Sequence, residues 1–253
     1  MNKYLKNVNK IEFVVTNVCT GKCKHCSQGD HLEEKQLISV ETAVDAVRKI
    51  LSLYDIKTVM TFGGEPLLHK NAVFEIMKVA YEMNIPKRQL ITNGYFTKDI
   101  NEIKEVAKEI ASCHINNLLL SVDAFHQETI PLEIVRKFAE ELIKNDVPFK
   151  LQPAWLVSQS DNNQYNIKTK EILNSFSDLD ILISEGNVIY PEGNAVKYLS
   201  EYFNNNTVSN PYEDDPYDIT CISFSANGDV LDDNINQKDI IDIIKDYNPN
   251  KDK

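Results

Sequence analysis

The chain has 253 residues, 42% of them hydrophobic, with five cysteines and a formal net charge of −11. That length buries a full core in a single α/β domain, and the acidic balance argues against a broad nucleic-acid surface. No apolar run is long enough to span a membrane, the polar start MNKYLKNVNK lacks a signal-peptide core, and three cysteines in one short loop do not read as a disulfide framework, which together point to the cytoplasm.

Strand and helix patterns alternate along the chain. Residues 11–16 (IEFVVT) read as a continuous apolar strand, and the loop CTGKCKHC follows with Cys19, Cys23 and Cys26. A helix begins after Ser39, a suitable N-cap, with Val40, Ala43, Val44, Val47, Ile50, Leu51 and Tyr54 on one face. Residues 57–62 form the second strand, which runs into TFGGEPLL. Val73, Ile76, Met77 and Ala80 mark the next helix, and residues 88–92 the third strand, ahead of ITNGYF. Ile100, Ile103, Ala107 and Ile110 mark a helix starting near Thr97; the fourth strand, 117–122, lies in LLLSVDAF. Val135, Phe138, Ala139, Leu142 and Ile143 mark a fourth helix. A fifth strand lies within 148–157, a weaker helix at about 165–176, and a sixth strand within 180–190.

Short apolar strands separated by amphipathic helices imply parallel pairing with right-handed crossovers. Six such units give the α/β fold expected here, an open, partial (βα)6 barrel of the TIM type over residues 1–203. Each motif follows a strand, so all gather at the C-terminal mouth. The polar, acidic stretch Asn204 to Asp218 reads as a linker, followed by a hairpin turning at Asn227-Gly228 and a short helix at about 236–246. Residues 204–253 are expected to be an appendage that closes or edges the barrel.

Three thiolates at these spacings can hold three irons of a four-iron cluster and leave the fourth iron open to a small molecule. Half of a zinc site, or three loop cysteines without a metal, are the alternatives; no second CxxC pair follows, and His25 abuts Cys26. In GGEP, two glycines at a strand end allow a close backbone approach with exposed N–H groups, and Glu65 adds a carboxylate suited to an ammonium.

With this pairing the chain resembles the radical S-adenosylmethionine (SAM) enzymes. Their CxxxCxxC motif corresponds to Cys19, Cys23 and Cys26, with His25 in the aromatic-type position, and their GGEP motif to Gly63, Gly64, Glu65 and Pro66. The resemblance covers most of residues 10–200 and implies the same (βα)6 form. It implies a [4Fe-4S] cluster and SAM as cofactors, with an electron from a donor such as flavodoxin or ferredoxin. Reductive cleavage then yields methionine and a 5′-deoxyadenosyl radical, which takes a hydrogen atom from the substrate. Asn93, with Thr92 and Gly94, is a candidate for the SAM pocket or for a plain strand-to-helix turn. Ser121 and Asp123 are candidates for the ribose or methionine end, Gln152 a weaker one, and 189–195 (IYPEGNA) for adenine, although many relatives carry Arg where Asn194 stands.

His126 is a candidate proton carrier, with an exposed loop histidine as the simpler reading. Cys221 is a candidate hydrogen-atom donor or second-centre ligand, with a buried structural cysteine as the simpler reading. Cys113 is expected in the core, and Trp155 in packing or a substrate wall. The motifs look most like the peptide- and sulfatase-maturase branch, so the expected substrate is a peptide or protein. The segment ahead of the first strand is too short for a separate leader-recognition domain, and no auxiliary-cluster module is expected with Cys221 alone. A glycyl-radical-enzyme activase is disfavoured by Phe125 at the place of an expected lysine. A small-molecule enzyme of cofactor biosynthesis and a noncatalytic iron–sulfur or zinc protein complete the alternatives.

Overall fold

Alternation along the first strand, β1 (Lys10–Thr16), buries Ile11, Phe13 and Val15 fully and leaves Glu12 and Val14 half-buried on the other face. Next come β2 (Thr58–Gly63), where Val59, Met60 and Thr61 are all buried, β3 (Lys87–Thr92), β4 (Asn117–Ser121) and β5 (Phe149–Gln152), which pair in parallel in that order. The intervening helices are α1 (Val40–Leu51), α2 (Lys70–Glu82), α3 (Ile100–Ser112) and α4 (Leu132–Lys144). Their apolar faces, including Val47, Ile76, Ile103 and Phe138, share one core with the inward strand residues. The computed structural model on which this description rests describes residues 2–31, 35–203 and 210–251.

The caps explain the helix starts. Ser39 accepts from the Thr42 amide ahead of α1 at 3.3 Å. The third helix starts later than Thr97: Thr97 Oγ1 accepts from the Asp99 amide, and Asp99 then caps α3 by accepting from the Asn101 amide at 2.8 Å.

The sixth strand differs from expectation. Pro153 has no N–H and interrupts the ladder after β5. The chain resumes as β6 (Ala154–Trp155), which pairs with the two-residue β7 (Asn187–Val188) in a separate small sheet. A parallel bridge from Leu151 to Ile183 brings this segment alongside β5. Among the described residues the sheet stays open, with β5 and Asp233–Asn234 at its edges.

Helices α5 (Gln164–Asn174) and α6 (Asn194–Tyr198) flank the small sheet in sequence. Residues 204–209 of the expected linker lie outside the described residues. Beyond it, β8 (Cys221–Phe224) joins the main sheet parallel to β1, and the turn at Gly228 leads into β9 (Asp229–Val230) and β10 (Asp233–Asn234). The sheet order is therefore β10-β9-β8-β1-β2-β3-β4-β5. Helix α7 (Ile240–Asp246) packs beside α1. Phe224 stacks on Phe13 with ring centroids 4.6 Å apart, both rings fully buried. Truncation of a core phenylalanine of this kind costs about 3–5 kcal/mol. Phe224→Ala is therefore expected to lower unfolding free energy by that amount in denaturant titration; a loss near zero would mean that β8 does not share the main core.

Candidate active site

The cysteine loop leaves the C-terminal end of β1 and is held on two sides by backbone. On one side, the Gly64 amide donates to Thr16 O at 2.9 Å and the Glu65 amide to Val18 O at 2.8 Å. A Cβ on Gly64 would lie 2.3 Å from Val18 O, so the close approach requires glycine. These N–H groups are committed to the loop, which corrects the expectation that they stand exposed. On the other side, the Asn194 amide donates to Cys26 O at 2.9 Å, and its Nδ2 reaches Cys23 O and Gly29 O, each at 3.2 Å. Gly193 has φ +53, and a Cβ there would meet Ser27 O at 2.4 Å. Asn194 thus clamps the loop where an adenine contact was expected.

Glu65 is fully buried, and its oxygens accept from the Leu67 amide (3.0 Å), the Thr92 hydroxyl (2.7 Å) and the Asn93 amide (2.8 Å). It ties the ends of β2 and β3 together, a role the sequence reading missed in favour of an ammonium partner. Burial outweighs these hydrogen bonds and pushes its pKa up to about 7. Pro66 starts a short 3-10 turn, Pro66–His69, behind it. Asn93 projects back to the loop: its Nδ2 lies 3.6 Å from Cys19 Sγ and 3.3 Å from Thr20 Oγ1, while its Oδ1 accepts from the Tyr95 amide at 2.8 Å. Thr92 Oγ1 also accepts from the Gly94 amide at 3.0 Å.

Asp123 is likewise internal. Its Oδ1 accepts from the Phe125 and His126 amides, each at 2.9 Å, and its Oδ2 from His126 Nδ1 (2.8 Å) and the Ala154 amide (3.1 Å). These contacts anchor the turn after β4. Burial alone would raise its pKa, but the His126 partner and these bonds hold it down at about 2. Ser121 is buried beside Gln152 in register, and Gln152 Oε1 accepts from Ser184 Oγ.

His126 is half-buried, not an exposed loop residue. With Nδ1 given to Asp123, its ring meets His25 at 4.8 Å, and a nitrogen of each histidine lies within 4.8 Å of Cys23 Sγ. His25 packs on Phe125 at 5.1 Å, and burial lowers its pKa to about 4, so the ring is neutral. Its Nδ1 is buried with no hydrogen-bond partner among the described residues.

Cys221 does not belong to this group. It pairs with Lys10, six residues below Thr16 on β1, about 20 Å down the strand at roughly 3.3 Å per residue. The parallel register places it at the opposite end of the sheet, so its proposed roles near a substrate radical are corrected. Cys113 is buried in the main core after α3, and Trp155 is buried with Nε1 donating to Glu185 O at 2.8 Å.

The donor set fits an iron–sulfur cluster with an open corner. Burial raises the pKa of all three loop thiols, Cys19 to about 11, and the neighbouring loop sulfurs add to the cost of ionising Cys19 and Cys23. Iron must displace their protons, and neither remaining cysteine stands on the loop to act as a fourth ligand.

The Radical SAM superfamily profile matches residues 13–145, more than half of the chain. The chain belongs to the radical SAM superfamily. It is an enzyme of that kind, with a [4Fe-4S] cluster and SAM as its cofactors, and it needs a one-electron reductant. It is 27% identical over 135 residues to a GTP 3′,8-cyclase of Desulforamulus reducens, covering 51% of this chain and 38% of that protein. It is 26% identical over 189 residues to an S-adenosylmethionine-dependent nucleotide dehydratase of Fibrobacter sp., covering 68% of this chain and 50% of that protein. The chain thus matches half or less of the length of these curated relatives. Among solved structures, native anSMEcpe with bound AdoMet superposes with a TM-score of 0.60 at 17% identity, over 95% of this chain and 81% of that one. Streptococcus suis SuiB bound to S-adenosylmethionine gives 0.57 at 13%, over 94% and 66%. At such identities the likeness is one of fold. No helix among the described residues is long and apolar enough to cross a membrane.

Two outcomes follow from this geometry. Gly193→Val is expected to displace the Cys26–Ser27 carbonyls, with iron content after anaerobic reconstitution falling by more than half while far-UV circular dichroism is unchanged. The second concerns pH. The folded pKa of Glu65 is raised, so its contribution to stability is fullest below the unfolded value near 4.5 and is lost as pH rises through 7. The penalty at pH 8 is on the order of 3 kcal/mol at 1.36 kcal/mol per pKa unit. Melting temperature between pH 5 and 8 should fall with pH in the metal-free protein, and Glu65→Gln should flatten that slope.

Proposed function

We propose that this enzyme abstracts a hydrogen atom from a peptide or protein substrate, with Cys19, Cys23 and Cys26 as the only protein ligands of the cluster. When bound there, the cluster and SAM supply one-electron reductive cleavage to methionine and a 5′-deoxyadenosyl radical. The observation that carries the ligand assignment is the loop itself: three thiols, Cys23 buried and Cys19 and Cys26 half-buried, pinned between the GGEP backbone and Gly193–Asn194. Glu65 and Asp123 hold the loops after β2 and β4 in place. Asn93 orients the Cys19 side, and the unpartnered His25 Nδ1 is available to a bound molecule. The backbone of Gly63 and Gly64, with Asn93 and Ser121, lies at the mouth where SAM would sit.

Support for a peptide substrate comes from the face of the sheet turned away from the helices. Val14 and Phe62 are register partners there, as are Ile91 and Leu119; all four are half-buried and outside the helix-side core. Gln89 and Asn117 pair on the rung below. Such a surface suits a neutral chain of amides and apolar side chains. All three arginines are engaged elsewhere: Arg48 with Glu82, Arg88 with the His114 and Ile85 carbonyls, Arg136 with Asp178. The solved complex of SuiB with its precursor peptide SuiA shares this fold. A second reading, a nucleotide substrate, is favoured by the names of the sequence relatives. The cytoplasm, with a flavodoxin or ferredoxin as donor, suits either substrate.

Anaerobically reconstituted protein with dithionite should convert SAM to 5′-deoxyadenosine. Cys23→Ala should lose at least 100-fold of that rate, beyond the roughly 10–100-fold that losing an outer-shell partner of a metal site costs, while Cys221→Ala keeps it. Deuterium appearing in 5′-deoxyadenosine from a deuterated peptide pool supports the first substrate reading; deuterium from nucleoside triphosphates instead selects the second.

A further inference from the structure

The open sheet leaves a gap at its side, and one stretch of chain crosses it. On one flank, β7 stands near the mouth, because Asn187 pairs with Ala154, whose amide donates to Asp123. On the other flank is β8, beside β1. Asn210–Asp214 runs between them. At the β7 end the Tyr212 hydroxyl donates to Asn187 Oδ1 at 2.8 Å, and Asn210 Nδ2 donates to Glu192 Oε2 at 3.3 Å. At the β8 end the Asp214 carboxylate accepts from Thr220 Oγ1 (2.9 Å) and from the Cys221 amide (3.0 Å). Tyr212 and Asp214 are two residues apart, so about 7 Å of extended backbone joins the two flanks.

The two ends are held unequally. One carboxylate grips a hydroxyl and a backbone amide at β8. At β7, Tyr212 keeps 61% of its surface exposed, its ring centroid is 6.2 Å from that of Tyr190, and both hydrogen bonds are exposed. A neutral hydrogen bond in water biases an equilibrium by a factor of about ten or less, so latched and lifted forms lie close in population. Beneath the strap is the sheet face turned away from the helices. Cys221 and Ser223 stand on it, since Ile222 and Phe224 are fully buried on the helix side. Cys221 is half-buried, and the Lys10 ammonium acts on both its thiol and the Tyr212 hydroxyl.

We propose that Asn210–Asp214 is a side gate to this face: latched by Tyr212 on Asn187 and hinged at Asp214, it lifts to admit an extended substrate chain and shuts to shield the face. The gate stands on these contacts alone; what passes through it rests on the peptide reading above. An extended chain has two ends that must leave the pocket, and a gap in the wall lets one of them out. A compact nucleotide needs only the mouth. Shutting the side keeps solvent and stray hydrogen donors from the face where substrate is held.

The test is labelling of the anaerobically reconstituted holoenzyme with N-ethylmaleimide, read at each cysteine by peptide mapping. Cys221 reports the gate, and Cys113, 1% exposed in the core, reports loss of the fold. Tyr212→Ala should label at Cys221 about tenfold faster than wild type. Tyr212→Phe and Asn187→Ala, which remove the latch bond, should fall between, with Cys113 unchanged throughout. Equal Cys221 rates in wild type and Tyr212→Ala overturn the gate. Should Tyr212→Ala also expose Cys113, equal rates in wild type, Tyr212→Phe and Asn187→Ala overturn it instead. The passenger is read in Tyr212→Ala: a millimolar mixed peptide pool should slow Cys221 labelling several-fold, and GTP should not. Protection by GTP alone leaves the gate standing and sinks the peptide reading; protection by neither overturns the gate's role in admitting substrate.

Discussion

A small loop carrying three thiols has to be held in one shape before any metal arrives, and backbone does the holding. The Gly64 and Glu65 amides bind Thr16 and Val18 on entry; the Asn194 amide and side chain bind Cys26, Cys23 and Gly29 beyond it. Backbone-to-backbone bonds at under 3 Å leave no room for side chains at Gly64 or Gly193. The requirement for glycine at these points is thus steric. Any metal bound by the loop would meet sulfurs whose positions this clamp sets.

Around the clamp, charged groups work mostly as internal ties. Glu65 and Asp123 are each fully buried at the C-terminal end of a strand, yet their environments push them in opposite directions. Glu65 receives only neutral donors, and desolvation dominates. Asp123 has His126 against it, and attraction dominates. Both fix the positions of loops that carry ligand-facing atoms, which is how an open sheet with no closed ring of strands can present a well-ordered mouth.

Much of the frame was legible in the sequence because amphipathic helices over 40–51, 70–82, 100–112 and 132–144 announce themselves by spacing. So does the cysteine triplet. The sixth strand was legible in place, within 180–190, but not in its pairing, since Pro153 breaks the ladder and leaves only two paired residues on either side of the small sheet. The inward turn of Glu65 and Asp123 was hidden for another reason: a carboxylate in a motif looks the same whether it faces a ligand or a neighbouring amide. Position along a parallel strand removed Cys221 from the site, a fact that register reveals and composition does not. His31 was missed because nothing in its spacing marks it, and only the fold brings its Nε2 within 3.3 Å of Cys26 Sγ. For Asn194 the departure from arginine was the usable signal; the clamp it forms explains why an amide suits that place.

The central claim is that three cysteines of one loop hold a cluster whose fourth iron is open to SAM. EPR of the dithionite-reduced protein, recorded with and without SAM, addresses it most directly. The account requires the signal of a reduced [4Fe-4S] cluster to change its g-values when SAM is added, and to be absent from Cys26→Ala. A spectrum indifferent to SAM, or protein that binds one tetrahedral zinc in place of iron, would contradict it.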